Sequence, residues 1–419
     1  MMANQIKHFY RLSYTDRLTA LAQQRQLTPN QITTIKQNAT QVSDSLIENY
    51  LTDYRLPEGV LPQIRVNDHD YVVPMVTEEP SVIAAASHGA KLMMTAGITA
   101  QITERLVEGQ VIVASKDAEQ LTQFVVANQQ TILQVANASH PTMQNYGGGA
   151  KAVTVRQLDA DYCSVDLQVG VGEAMGANVV NTMSEAVADY LRQHDFIIIM
   201  SILTNEGSHQ LVTVSGQVPV AQLAKAQISG AEIAQRIQIA SHIAQIDPKR
   251  AVTHNKGIMN GVDAAVIATG NDWRAVEAAV QAFASRDGQY RGLSQWQVVD
   301  DQLIGKMTLP LPMGLVGGAT KVLKLVAVNR QLSNFQTTQE AMSVIAAVGL
   351  AQNLAALLAL VSEGIQAGHM KLQLKSMAMA NGATPTEVPM VIAQLAHQQP
   401  INSQLVKATI EKIRQTKGE

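Results

Sequence analysis

The chain has 419 residues, 46% of them apolar and 16% charged, with 31 Lys and Arg against 34 Asp and Glu, a net charge of −3. Length alone points to two or three domains at roughly 150 residues each, and so low a charged fraction excludes charge-driven disorder. Near-neutral charge excludes nucleic-acid binding by bulk positive charge, and the lone Cys163 excludes an internal disulfide framework or a multi-cysteine metal site. Together these point to a soluble protein of the reducing cytoplasm. The opening MMANQIKHFYRLSYTDRL lacks the apolar core of a signal peptide.

In chain order, residues 13–40 read as short helices. Ser13 with Asp16 three residues on forms a capping-box pattern, and Thr28-Pro29 starts a second helix. Residues 56–77 read as extended, with Asn67-Asp68 as a hairpin turn. An Ala-rich helix follows, with Pro80 at its first position and Gly97 beyond its end.

Residues 98–205 read as a separate α/β unit. Its strands are ITAQITERLV, GQVIVAS, KAVTVRQL, CSVDLQVGV and FIIIMSIL, and its helices fall at 116–137 and 174–193. Val179, Val180, Met183, Val187 and Leu191 make one apolar stripe on the second helix. Beyond 206 come a strand at LVTVSGQVPV, a helix at AEIAQRIQIASHIAQ, a polar, glycine-rich turn region at 250–261 and a helix at 272–285. A Pro/Gly-rich loop at 310–322 precedes the apolar stretch 346–365. Gln352, Asn353 and Glu363 make that stretch a buried helix rather than a membrane span. The tail from 370 reads as a small helical appendage.

Five polar spots interrupt this apolar pattern. Glu78-Glu79-Pro80-Ser81 stands before a helix, where a carboxylate either complements the dipole or, with a raised pKa, donates a proton. Lys256 lies in RAVTHNKGIMNG, flanked by Asn, Gly and Met, and reads as a cation on a turn poised beside a carbonyl oxygen or as a snorkelling surface lysine. Asp272 in TGNDWR reads as a helix N-cap, a place from which it can also neighbour a lysine. His369 in EGIQAGHM reads as a helix C-cap or as a proton donor at a hinge. The small residues of GEAMGAN open a helix whose free amides can take a diphosphate, or serve close packing. No HExxH, GxSxG, P-loop or strand-borne GxGxxG occurs, and no metal-ligand spacing.

EEPSVIAAAS, GEAMGANVVNTMSEAV, THNKGIMNGVDAAVIATGNDWRAVEA, GLVGGATK, AVGLAQNLAAL and EGIQAGHM occur in this order. Together they resemble class II, bacterial-type 3-hydroxy-3-methylglutaryl-coenzyme A (HMG-CoA) reductase over nearly the whole chain. The resemblance implies an α/β (α+β) fold. Residues 1–103 and 206–365 form a large HMG-CoA-binding domain, 104–205 an inserted small α+β cofactor domain, and 366–419 a C-terminal helical flap. It implies reduction of HMG-CoA to mevalonate and CoA by two hydride transfers from a nicotinamide cofactor, through mevaldyl-CoA and mevaldehyde. Glu79, Lys256, Asp272 and His369 match the catalytic residues. Lys256 stabilises the oxyanion, Asp272 holds and tunes Lys256, His369 protonates the CoA thiolate, and Glu79 supplies a proton in the aldehyde step. Ser81 and Arg250 match residues that hold the HMG part, and Asn260 one that supports the lysine. Met175, Gly176, Asn178 and Asn205 match the cofactor-binding stretch.

The resemblance also implies a homodimer, the base of any higher oligomer, with active sites at the subunit interface, so that Glu79 and Lys256 come from facing chains. It implies no metal, nucleic acid or membrane partner.

Three departures stand out. Glu173 replaces the aspartate of DAMGAN at a cofactor contact. The ENxIG stretch reads Glu48-Asn49-Tyr50-Leu51-Thr52, without its glycine. Ala138-Ser139-His140 stands where NADH-dependent members carry an acid that binds the ribose 2′-hydroxyl. Ser139 and His140, with Lys151 nearby, therefore predict NADPH in preference to NADH, with NADH usable. The rival readings are a related dehydrogenase acting on another acyl-CoA, which Ser81 and Arg250 argue against, and an inactive CoA- or nucleotide-binding scaffold, which the full catalytic set argues against.

Overall fold

The computed structural model describes residues 8–417 apart from 104, 226, 319–321, 363–373, 396–397 and 399–400. Met1–Pro57 and Glu58–Glu419 are two compact units. The first holds α1 (Tyr14–Arg25), α2 (Pro29–Gln37) and α3 (Gln41–Leu46). Ser13 caps α1 by accepting from the Asp16 amide, and Thr28 and Gln31 form a full capping box on α2. The buried Tyr50 accepts from the Thr40 amide at 2.8 Å and donates to Asp53 at 2.9 Å.

The second unit contains two sheets. β1 (Glu58–Val66) and β2 (His69–Val76) form the expected hairpin. Asn67 and Asp68 both have positive φ, 48° and 65°, the backbone a right-twisted two-residue hairpin demands. After α4 (Val82–Met93), β3 (Ile98–Ile102) joins this sheet and β4 (Leu106–Ala114) the other. The single run ITAQITERLV is therefore two strands. Arg105 stands between them, and its side chain is buried. Pro80 lies just outside α4, which begins at Val82 with Ser81 preceding it.

The four-stranded sheet has the order β5-β6-β4-β7, with β5 at Gly149–Gln157, β6 at Tyr162–Gly170 and β7 at Ile197–Leu203. The expected helix at 116–137 is a pair, α5 (Ala118–Ala127) and α6 (Gln129–Ser139), followed by α7 (Ala177–Arg192). Cys163, Val165, Leu167 and Val169 alternate along β6 and share a buried cluster with Val180, Met183, Val187 and Leu191 of α7.

The six-stranded sheet has the order β2-β1-β3-β8-β10-β9, with β8 at Leu211–Pro219, β9 at Ser294–Val299 and β10 at Gln302–Pro310. Its core is separate. Beside it lie α8 (Gly230–Ile246), α9 (Pro248–Ala268), α10 (Trp273–Ala284), α11 (Lys324–Ser333) and α12 (Thr338–Val361). α12 is the one described helix long and apolar enough to cross a membrane, and 78% of its apolar window is buried inside the protein. In the tail, helices at Val388–Leu395 and Ser403–Lys417 belong to a third buried cluster that includes Leu374, Val391, Val406 and Ile410.

Residues 250–261 overturn the turn reading. They lie inside α9, a continuous helix of 21 residues capped by Asp247 with Pro248 in its first turn. Glycine costs about 1 kcal/mol relative to alanine in a helix interior. Packing offsets this at Gly261, where a Cβ would press within 3.2 Å of Gln352 and Val348 on α12, whereas a Cβ on Gly257 would meet open space.

Candidate active site

α9 and α12 wall a cavity of about 380 Å³, closed at one side by the start of α4. Arg250, Thr253, Lys256, Gly257 and Asn260 line it from α9, Ser81 from the α4 end and Gln352 from α12. The α9 residues recur at helical spacing, so one face of one helix presents them together. Glu79 is tied to this cavity because Ser81 Oγ donates to Glu79 Oε1 at 3.2 Å, while the Glu79 amide donates to Thr77 Oγ1 at 3.2 Å. Glu79 thus sits beside the cavity that Lys256 lines, joined to it through Ser81. Two cations and a hydroxyl line a space whose remaining lining is largely apolar, a donor set suited to an anionic acyl group.

His254, unmarked by sequence reasoning, lines the same cavity. It is 2% exposed, and Nε2 lies 2.7 Å from Ser294 Oγ and 3.3 Å from Asn353 Nδ2. Trp296 Nε1 donates to Asn353 Oδ1 at 2.7 Å. An indole N–H only donates, so this bond fixes the amide with its Nδ2 toward the imidazole. Burial, aided by the charge of Arg250, pushes the His254 pKa down to about 4, leaving the ring neutral behind Lys256. The signal was present in the sequence: Ala251, Ile258 and Val262 at helical spacing put His254 on the buried stripe.

A second cavity of about 630 Å³ lies between Ala174–Val179, Gly270–Arg274 and 314–318. Met175, Gly176 and Asn178 line it together with Asp272. Gly176 has φ 96°, and a Cβ there would collide with Val171. As N-cap of α7 it offers no side-chain hydrogen bond, so the first amides of α7 open at this cavity with the positive end of the helix dipole. A dinucleotide's pyrophosphate fits such an end, and Arg274 adds a cation.

The loops around this cavity are pinned. Arg105 donates to the carbonyls of Gly172, Ala174 and Met313, and burial lowers its pKa to about 10. Asn271 Oδ1 accepts from the Gly314 amide at 2.8 Å.

Asp272 does not meet Lys256 within the chain. Twelve residues of α9, about 18 Å of helix, separate Lys256 from Ala268, and Asp272 lies beyond that end. Its carboxylate caps α10 and accepts from Arg274 Nε at 3.0 Å, which holds it below the usual carboxylate range. The expectation that Asp272 tunes Lys256 is therefore not met inside one chain.

Glu173 likewise departs from its expected cofactor contact. Its Oε2 accepts from the Thr338 amide at 2.5 Å, so the longer side chain fastens the start of α12. Asn205 is exposed between β7 and β8, and His140 ends α6 with Nδ1 3.1 Å from Thr142 Oγ1. Neither lines the two cavities. His369 lies outside the described residues. Among the described residues no group of His, Cys, Asp and Glu could hold a metal ion.

The sequence profile described as "Hydroxymethylglutaryl-coenzyme A reductase" matches residues 13–374. The chain belongs to this family. The 3-hydroxy-3-methylglutaryl-coenzyme A reductase of Archaeoglobus fulgidus is 36% identical over 99% of this chain and 95% of its own length. A probable reductase of the same name from Borreliella burgdorferi is 31% identical over 79% and 77%. Among solved structures, the class II HMG-CoA reductase of Streptococcus pneumoniae bound to NADPH in open conformations superimposes with a TM-score of 0.75 at 41% identity. That match covers 96% of this chain and 100% of the other. The α/β fold and the reductase chemistry expected from the motifs agree with these relatives.

Proposed function

We propose that this family member reduces HMG-CoA to mevalonate and CoA in the mevalonate pathway, consuming two NADPH. The observation that carries the reading is the anion-suited cavity of Ser81, Arg250, Lys256 and Asn260, with Glu79 hydrogen-bonded at its edge. Arg250 and Ser81 hold the carboxylated acyl part. The nicotinamide cofactor supplies hydride when bound. Lys256 stabilises the oxyanion that develops on the acyl oxygen, since an ammonium placed there needs no reorganisation as charge grows. Glu79 delivers a proton to the aldehyde oxygen, and His369 protonates the leaving thiolate. Met175, Gly176 and Asn178 hold the cofactor around the α7 N-terminus, and Asn205 and His140 contact it from the four-stranded module.

The separation of Asp272 from Lys256 supports a homodimer in which Asp272 of one subunit completes the Lys256 cavity of the other. Residues 104–205 then serve as cofactor domain and 366–419 as flap, in an enzyme of the cytoplasm. The test is stoichiometry. HMG-CoA with NADPH is expected to oxidise two cofactor molecules per CoA released. One per CoA would indicate a dehydrogenase of another kind, and none an inactive scaffold.

A further inference from the structure

The chain has two tryptophans in opposite states. Trp296 is 1% exposed and its Nε1 is bonded to Asn353, the ordinary condition of a buried indole. Trp273 is 46% exposed. It opens α10 immediately after Asp272, off the face on which Val276, Val280 and Phe283 enter the core. Among the described residues its indole N–H has no hydrogen-bond partner and no aromatic ring lies against it. It lines the larger cavity beside Gly317 and Gly318, where a Cβ would meet nothing within 4 Å and bare backbone leaves space for a planar group.

We propose that Trp273 is a cofactor-binding residue whose indole face stacks on the nicotinamide ring. The inference rests on the reductase reading above. Two placements on one cavity choose the ring. The pyrophosphate belongs at the α7 N-terminus, and Asp272, proposed to act at the reacting carbon, is the neighbouring residue of Trp273. The indole face carries the negative end of the ring quadrupole, so it attracts the cationic oxidised nicotinamide most strongly. Binding also removes a large apolar surface from water.

The protein's own fluorescence tests this. NADP⁺ does not absorb where indole emits, so it quenches by contact and not by energy transfer. Titration with NADP⁺ is expected to quench the wild-type protein. Trp273→Phe, which leaves Trp296 as sole emitter, is expected to show no quenching while calorimetry still detects NADP⁺ binding. Trp273→Ala is expected to bind NADP⁺ about tenfold more weakly, with HMG-CoA affinity unchanged. 2′-Phospho-ADP-ribose, which lacks the nicotinamide, is expected to bind without quenching. Undiminished quenching in Trp273→Phe, wild-type NADP⁺ affinity in Trp273→Ala, or equal quenching by 2′-phospho-ADP-ribose overturns the stacking. Absence of calorimetric binding of both NADP⁺ and NAD⁺ to the wild-type protein overturns the reductase reading itself.

Discussion

The two cavities are built from different materials. The Lys256 cavity has helical walls, and its polar groups arrive through the periodicity of α9. The Asp272 cavity is made of three loops and an uncapped helix start, with glycine at Gly176, Gly270, Gly314, Gly317 and Gly318. Helical walls fix side chains by packing, whereas a loop-built cavity must be pinned by hydrogen bonds, which Arg105 and Asn271 supply. The same helix that presents Lys256 also carries Asp272 away from it. In the homodimer proposed above, each chain holds two halves of a site, and the second chain brings them together.

Mixed dimers are the strongest way to break this comparison. Lys256→Ala removes the oxyanion's cation and is expected to cost about 10²–10³-fold in kcat. Its fold should persist, because the side chain is exposed. Asp272→Asn is expected to cost a similar factor. If each active site takes Lys256 from one chain and Asp272 from the other, dimers formed from both variants regain one intact site. Co-refolding equal amounts should then restore about a quarter of wild-type activity. No recovery above either variant alone would mean that the two residues serve the same chain's site.

The two ends of α9 also differ in how they respond to pH. His254 has a folded pKa of about 4, below the ordinary histidine value because burial disfavours the charged ring. Between pH 6.5 and 4 the unfolded chain binds more protons than the folded one, so stability falls as pH falls through that window. The difference amounts to about 3 kcal/mol. Toward the other end, burial and the hydrogen bond with Glu277 raise Asp263 far above the carboxylate range. It holds its proton in the folded protein, so its contribution is full below the unfolded carboxylate pKa and fades as pH rises through the raised value. Denaturant melts should show the acid-side slope shrink in His254→Asn and the alkaline-side slope shrink in Asp263→Asn. An unchanged acid slope in His254→Asn would show that the imidazole already titrates normally in the folded state.

Much of this was legible where one local rule dominates. Asn67-Asp68 gave a hairpin because two consecutive residues that tolerate positive φ separate apolar runs. The stripe of α7 gave a helix. The sequence misled where packing overrides propensity: Gly257, Gly261 and the polar residues between Arg250 and Asn260 read as a turn, yet they are helical, with Gly261 packed against α12. β9 and β10 went unread although Asp300 and Asp301, with φ 46° and 60°, repeat the first hairpin's device. Motif order supplied the candidate residues of both cavities, but not their distances. Glu173 shows the limit, since only the fold reveals that its extra methylene lets it reach the amide of Thr338.

The smallest expected effect concerns cofactor choice, which tests whether the four-stranded module reaches the second cavity's ligand. A carboxylate near the adenosine ribose accepts from the 2′-hydroxyl and repels a 2′-phosphate. This chain has no acid at Ala138-Ser139-His140. Ser139 Oγ donates to Ala136 O at 2.7 Å, and His140 Nδ1 faces Thr142 Oγ1 at 3.1 Å. Lys151 Nζ donates to Gly147 O at 3.3 Å on the neighbouring loop. An imidazole that can donate a hydrogen bond and a nearby ammonium both favour a phosphate. Glu173, the other acid once placed at the cofactor, is committed to α12 and does not replace the missing carboxylate. Steady-state kinetics are expected to give a higher kcat/KM with NADPH than with NADH. His140→Asp should move the preference toward NADH by about tenfold, one close charge contact. A kcat/KM for NADH already tenfold above that for NADPH in the wild-type enzyme would remove this loop from the selection, and an unmoved ratio in His140→Asp would pass the role to Lys151.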